Sequence, residues 1–228
     1  MMSTERFAAT IVRTGVLALS LLLAGSATAA AGPEAIDQSA LVHRLAAMAG
    51  GPGHRALEAA LAAYTSAIRD GAVARTGLLT VIDYTRPSTE PRLWVLDLNR
   101  ARVLYRELVA HGQRSGENMT QFFSNAAGSL MTSLGLFVTE TSYVGRNGYS
   151  LRLRGLDPGV NDNALDRAIV VHGAAYVSAA VAQRLGRLGR SWGCPAVRSD
   201  IARPLIDTIK DGTVVYAYGG SATQADAP

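Results

Sequence analysis

Apolar and polar positions change rhythm near Gly77. Upstream, Leu57, Leu61, Tyr64 and Ile68 recur at helical spacing between the breaker Gly51-Pro52-Gly53 and Gly71, and residues 34–72 are rich in alanine. That pattern predicts two helices, near 37–49 and 54–70, packed on the flank of a larger domain. Downstream, short runs rich in valine, leucine and tyrosine alternate with glycine, asparagine, proline and arginine. They predict strands at 78–84, 93–98, 103–109, 134–139, 149–154, 168–172 and 213–218. The second and third of these flank Asn99-Arg-Ala-Arg102 and form a hairpin. Further helices are expected from Val177 to Leu185 and from Asp200 to Lys210, with Asp200 as cap. Many short strands without a regular helix between each pair indicate a mainly β fold, an antiparallel sandwich or barrel, rather than a doubly wound parallel sheet.

The chain has 228 residues. Its start carries Arg6 and Arg13, then a short apolar run from Gly15 to Ala24, then the small residues Ser26-Ala-Thr-Ala-Ala30. Residues 1–30 therefore read as a signal peptide cleaved near Ala29 to Ala31. The apolar run is well short of the ~20 residues that span a bilayer, so contact with the membrane is expected only in transit. The remaining organisation is a helical segment at 31–75, a strand-rich main domain at 76–220 and a polar tail at 221–228. Removing 1–29 takes away Arg6, Arg13 and Glu5 and leaves 20 basic and 17 acidic side chains. That balance is too mild to argue for a nucleic-acid partner.

Export changes the meaning of the cysteine content. Cys194 is the only cysteine, so it has no intramolecular partner and is either apolar filler or a reactive thiol. It sits in Gly189-Arg-Ser-Trp-Gly-Cys-Pro-Ala-Val197, downstream of the apolar strand Ile169-Val-Val-His172 that ends in His-Gly. A thiol has an ordinary pKa of ~8.5 and needs an imidazole or backbone dipoles to act as a nucleophile near neutrality. Gly193 lets the chain turn sharply beside the sulfur, which suits an oxyanion hole or simply a tight turn. Arg187 and Arg190 either add positive potential or form a solvated rim. His111 follows a strand and either lines a cleft or is merely solvated. Scattered histidines with no HExxH or CxxC spacing, and no glycine loop of the phosphate-cradling kind, point to neither a metal nor a cofactor.

These residues resemble the L,D-transpeptidases with the YkuD-type catalytic domain, whose signature is a histidine, a spacer and Ser/Thr-His-Gly-Cys. His172, Ser191 and Gly193-Cys194 occupy matching places. A divergent branch is closer still through Phe123-Ser-Asn125, Asn147-Gly-Tyr-Ser-Leu-Arg-Leu153, Asn161-Asp-Asn-Ala164 and His172-Gly-Ala174. The likeness runs over roughly 93–218. Trp192 replaces the second histidine, and the interval of 22 positions between His172 and Cys194 is longer than the common pattern, implying an extra turn or loop over the site.

The resemblance implies an acyltransferase acting on peptidoglycan stem peptides, with Cys194 as nucleophile and His172 as base. It further implies a carbonyl such as that of Gly173 orienting His172, and oxyanion donors at Gly193 and Cys194. Ser191, Trp192, Arg190 and Tyr176 would contact substrate, and Asn125 and Ser133 would line the donor groove. Two alternatives stay open on this reading. One is an L,D-carboxypeptidase with water as acceptor; the other is a non-catalytic envelope protein that binds peptidoglycan.

Overall fold

The structure is a computed structural model that describes residues 38–48 and 50–221. The leader expected at 1–30 and all but the first residue of the 221–228 tail lie outside the described residues. The described residues form one compact unit.

Helices α1 (Gln38–Ala46) and α2 (His54–Arg69) precede strands β1 (Leu78–Asp83), β2 (Leu93–Asp97), β3 (Arg102–Glu107), β4 (Gly135–Gly145) and β5 (Gly148–Gly155). Strand β6 (Val170–Gly173), helix α3 (Ala179–Leu185), strand β7 (Ala196–Val197), helix α4 (Ser199–Ile209) and strand β8 (Val214–Tyr218) complete the order. Each strand expected from the sequence is present, and the expected hairpin is β2 and β3, paired from Leu93↔Glu107 to Asp97↔Arg102. The eight strands make one sheet in the order β3-β2-β1-β8-β4-β5-β6-β7. Beyond its edge, Ala110 bridges to Ala196 of β7. The sheet thus curls until its two ends nearly meet, and Ala110, Val177, Leu188 and Ala196 pack beneath the seam. The sheet is mixed: β1 runs parallel to β8 and β6 parallel to β7.

Both faces of the central strands are covered, which is why β2 reads as an unbroken apolar run rather than an alternation. Leu93 and Val95 point to one core with Ile82, Leu151, Val171 and Val215, which α4 closes with Ala202, Leu205, Ile206 and Ile209. Trp94 and Leu96 point the other way, with Leu79, Val81 and Val214, to the face covered by α1 and α2. Helix α2 buries Leu57, Leu61 and Tyr64 as its spacing predicts. Ile68 instead stays 38% exposed, and the small Ala60 and Ala67 make the close contact.

Several bounds differ from expectation: β4 runs on to Gly145, and α3 starts at Ala179 with Ser178 as N-cap. Helix α4 begins one residue earlier, with Arg198 as N-cap, so Asp200 lies in the first turn and favours the helix through the dipole rather than as a cap. Strand β6 starts at Val170 because Ala168 is left-handed, φ +54°. There Ile169 N–H donates to Ala164 O and Ala168 N–H to Leu165 O, the paired bonds of a Schellman-type closure. Strand β7, two residues long, is too short to leave a signal in the sequence.

Candidate active site

Parallel pairing of β6 and β7, with His172 opposite Ala196, puts the His-Gly end of one strand beside the segment that carries Cys194. Both side chains line one cleft of about 460 Å³. Gly173, Tyr176, Arg190, Ser191 and Trp192 line it too, as do Arg146 and Asn147 from the β4–β5 hairpin tip and Arg167 and Ala168 from the turn before β6.

Backbone bonds from a neighbouring segment hold the cysteine loop. Ser191 N–H donates to His111 O at 2.9 Å and Gln113 N–H to Ser191 O at 2.8 Å. Within the loop, Ser191 Oγ donates to Cys194 O at 2.7 Å and accepts from Gly193 N–H at 3.1 Å. Gly193 is required here: its φ is +122°, and an added Cβ would lie 2.6 Å from Met131 O.

The thiol is buried, 7% exposed. Its S–H donates to Ala168 O at 3.6 Å. Burial pushes the Cys194 pKa up, and the Val170 N–H and the Arg167 charge pull it back. His172 is also buried, and its Nδ1 lies 3.0 Å from Gly173 O. A carbonyl only accepts, so Nδ1 carries the hydrogen and Nε2 is the basic nitrogen. Burial lowers the His172 pKa, opposed by that carbonyl bond. Thiol and imidazole are therefore both biased toward their neutral forms. Tyr176 is pushed up to about 12 by burial and by its proximity to Cys194, and remains a phenol.

Several expectations need correction. The Ser191 hydroxyl is 6% exposed and both of its bonds are to its own turn, so at the cleft wall it braces the cysteine loop. The Gly193 N–H is engaged by that hydroxyl, whereas the N–H of Cys194 has no acceptor among the described residues. Asn125 does not line the cleft: Nδ2 donates to Asp162 at 2.6 Å, and Oδ1 accepts from Asn163 N–H at 3.2 Å. It clamps the turn before β6 to the Phe123-Ser-Asn125 segment. Ser133 is buried and bonds to Ser124 O. Arg187 and Arg190 both pair with the exposed Glu117, at 2.8 and 2.7 Å, as a rim. No residue of α3 lines this cleft; Ala179 lines a neighbouring groove with Glu107, Ala174 and Arg198. The long interval between His172 and Cys194 therefore adds a helix beside the site, not over it.

The sequence reading missed Arg167, Ala168 and the Val170 N–H at the sulfur. A single signal, the arginine in Asp166-Arg-Ala-Ile-Val-Val-His172, was available for the first. Also missed was the buried support of the loop. Arg92 donates to Val109 O, Arg86 O and Thr120 Oγ1, and its Nη2 lies 2.7 Å from His111 Nδ1. His111, expected to be solvated or in the cleft, is part of that interior network.

Residues 51–218 match the family of the L,D-transpeptidase catalytic domain, and the chain belongs to that family. A search among curated proteins finds no match. Similar solved structures include an L,D-transpeptidase from Mycobacterium smegmatis, 15% identical with a TM-score of 0.39, over 63% of this chain and 59% of that one. The L,D-transpeptidase of Xylanimonas cellulosilytica is 18% identical with a TM-score of 0.36, over 68% of each chain. The helical cell shape determining protein Pgp2 from Campylobacter jejuni, as a K307A mutant, is 11% identical with a TM-score of 0.44 and covers 68% of this chain and 51% of that one. The match to the first of these thus spans less than two thirds of its length.

Proposed function

We propose that this protein is an exported peptidoglycan L,D-transpeptidase working through a Cys194 acyl-enzyme. The observation that carries the reading is the pairing in one cleft of a buried lone thiol with an imidazole whose Nδ1–H is tied to Gly173 O, which leaves Nε2 to take a proton. Export rests on the pattern of residues 1–30.

Because burial biases both groups toward neutrality, the thiol gives up its proton as it attacks rather than beforehand. Sγ leaves Ala168 O and adds to the amide carbonyl that follows the diamino acid of a tetrapeptide stem, and the S–H proton passes to Nε2 of His172. The Cys194 N–H stabilises the oxyanion, a contribution of ~3 kcal/mol for a well-placed donor. The C–N bond then breaks, His172 returns the proton to the leaving D-alanine amine, and a thioester remains. An acceptor amine from a second stem attacks the thioester, loses its proton to His172 and restores the thiol. Tyr176 and the exposed Trp192 (66%) give the stem apolar walls.

The test is mass analysis of products from purified mature protein and tetrapeptide muropeptides. Released D-alanine together with stem-to-stem amides is expected, with none from Cys194→Ala and a loss of ~10² to 10⁴ in turnover for His172→Ala. D-alanine release without new amides would make the protein a carboxypeptidase. A carbapenem, a strained acyl donor, is expected to add its mass to the wild type and not to Cys194→Ala. Equal adduct on both would remove the nucleophile assignment.

A further inference from the structure

The cleft contains a permanent charge that the acyl-transfer scheme above does not use. Arg167 stands on the turn that feeds β6, and its guanidinium lines the same cleft as Cys194. Four acceptors fix it: Nη1 donates to Ser124 O at 2.7 Å and to Ser133 Oγ, and Nη2 donates to Met131 O at 2.6 Å and to Ser129 Oγ at 3.2 Å. All four are neutral oxygens, so the cation is located without being neutralised. The other arginines of the cleft differ. Arg190 is paired with Glu117 at 2.7 Å, and Arg146 lies on an exposed hairpin tip, 5.8 Å from the Trp192 ring centroid. Arg167 also lies against the backbone that presents the sulfur: a Cβ built on Gly193 would stand 3.3 Å from its Nη2.

We infer that Arg167 is the electrostatic partner of the Cys194 thiolate, a positioning residue that supplies fixed positive potential where the resembled signature has a second imidazole and this chain has Trp192. The inference rests on Cys194 being the nucleophile of the proposed function. Of the groups around the sulfur, Trp192 carries no charge, and His172 cycles through its proton. The phenols of Tyr84 and Tyr176 are held protonated by burial. The Val170 N–H contributes only a dipole, and the charge of Arg190 is shared with Glu117. Burial raises the cost of a thiolate at this site, and Arg167 is the cation that lowers it.

The test is the pH dependence of Cys194 alkylation by iodoacetamide, which reads the thiolate without requiring acyl transfer, in wild type, Arg167→Gln and Arg167→Lys. Thermal unfolding of each protein is followed in parallel. Arg167→Gln is expected to displace the profile toward alkaline pH with the same high-pH plateau, slowing labelling at neutral pH roughly tenfold. Arg167→Lys keeps the charge and loses the fork, and is expected to stay within about twofold of wild type. A folded Arg167→Gln with an unmoved profile would overturn the inference, as would Arg167→Lys behaving like Arg167→Gln, which would mark a loop brace only. If Arg167→Gln does not fold, the lysine variant alone decides between the same two outcomes. A normal labelling profile in a protein that releases no D-alanine would sink the proposed function while leaving the role of Arg167 intact.

Discussion

Ser191 and Gly193 lie one residue from Trp192 on either side, yet their work is inside the loop. Ser191→Ala would leave the Gly193 N–H and the Cys194 carbonyl without their partner in a buried turn. A loss of ~2 to 3 kcal/mol is expected, measured by urea denaturation, along with weaker protection of the loop in hydrogen exchange. An unchanged midpoint would mean that water replaces the hydroxyl. Thr80 is the opposite case: its Oγ1 is buried with no hydrogen-bond partner among the described residues. Thr80→Val exchanges that hydroxyl for a methyl of similar shape and is expected to stabilise the fold by ~1 kcal/mol, read as a higher Tm. A lower Tm would show that the hydroxyl is satisfied in solution. Cys194 stood out in the sequence because a single thiol, in a chain whose start reads as a leader, has no disulfide partner. The roles of Ser191 and Asn125 did not, because a hydroxyl or an amide takes its meaning from whichever polar groups the fold brings within about 3 Å.

At the scale of elements, the turn between β5 and β6 aims the site. Asn161 is fully buried; its Nδ2 donates to Leu134 O and Leu136 O, and its Oδ1 accepts from Asp157 N–H. Those bonds tie the turn to the start of β4 and so place Arg167, Ala168 and His172. Asn161→Ala would orphan Leu134 O and the Asp157 N–H, while Leu136 O keeps the Leu156 N–H; a cost of ~3 kcal/mol in chemical denaturation is expected, with loss of Cys194 selectivity toward carbapenem. A variant of unchanged stability would remove this function from Asn161. The Asn161-Asp-Asn-Ala164 motif was visible in the sequence, but as a likeness without a mechanism. Strand positions were legible because apolar runs bounded by turn residues survive in any tertiary context, whereas the beginning of β6 depends on Ala168 adopting φ +54°, which no local propensity announces.

At the scale of the whole molecule, the buried Arg92 and His111 couple stability to acidity. Arg92 can only donate, so His111 Nδ1 accepts and Nε2–H donates to Gly116 O at 3.2 Å. Burial first, then the Arg92 charge, push His111 down to about 4. In the unfolded chain the ring titrates near ~6.5, so between those values the unfolded state binds a proton that the native ring refuses. The stability contributed by the neutral ring is complete above ~6.5 and is lost as pH falls toward 4, by up to ~3 kcal/mol. Urea midpoints from pH 7.5 to 4.5 are expected to fall steeply for wild type and less steeply for His111→Gln. Parallel curves would sink the assignment. The lowered pKa of His172 acts in the same direction, and with His172 as the proposed base the acid limb of activity is expected below that of an ordinary histidine.

What the sequence determined by itself is what repeats or stands alone along the chain: the helical spacing of α2, the apolar strand runs, the hairpin at Asn99-Arg-Ala-Arg102, and one cysteine downstream of one His-Gly strand. These are local patterns, set by backbone geometry and by residue chemistry that does not depend on neighbours. Tertiary structure alone decided the order of strands, the near closure through Ala110 and Ala196, the two-residue β7 and the identity of the cation beside the thiol. Arg187 and Arg190 are closer to Cys194 in sequence, but Glu117 draws both to the rim, and Arg167, 27 positions upstream, takes the place at the cleft. Charge acts through space, and the distances that decide its effect are set only when the sheet closes.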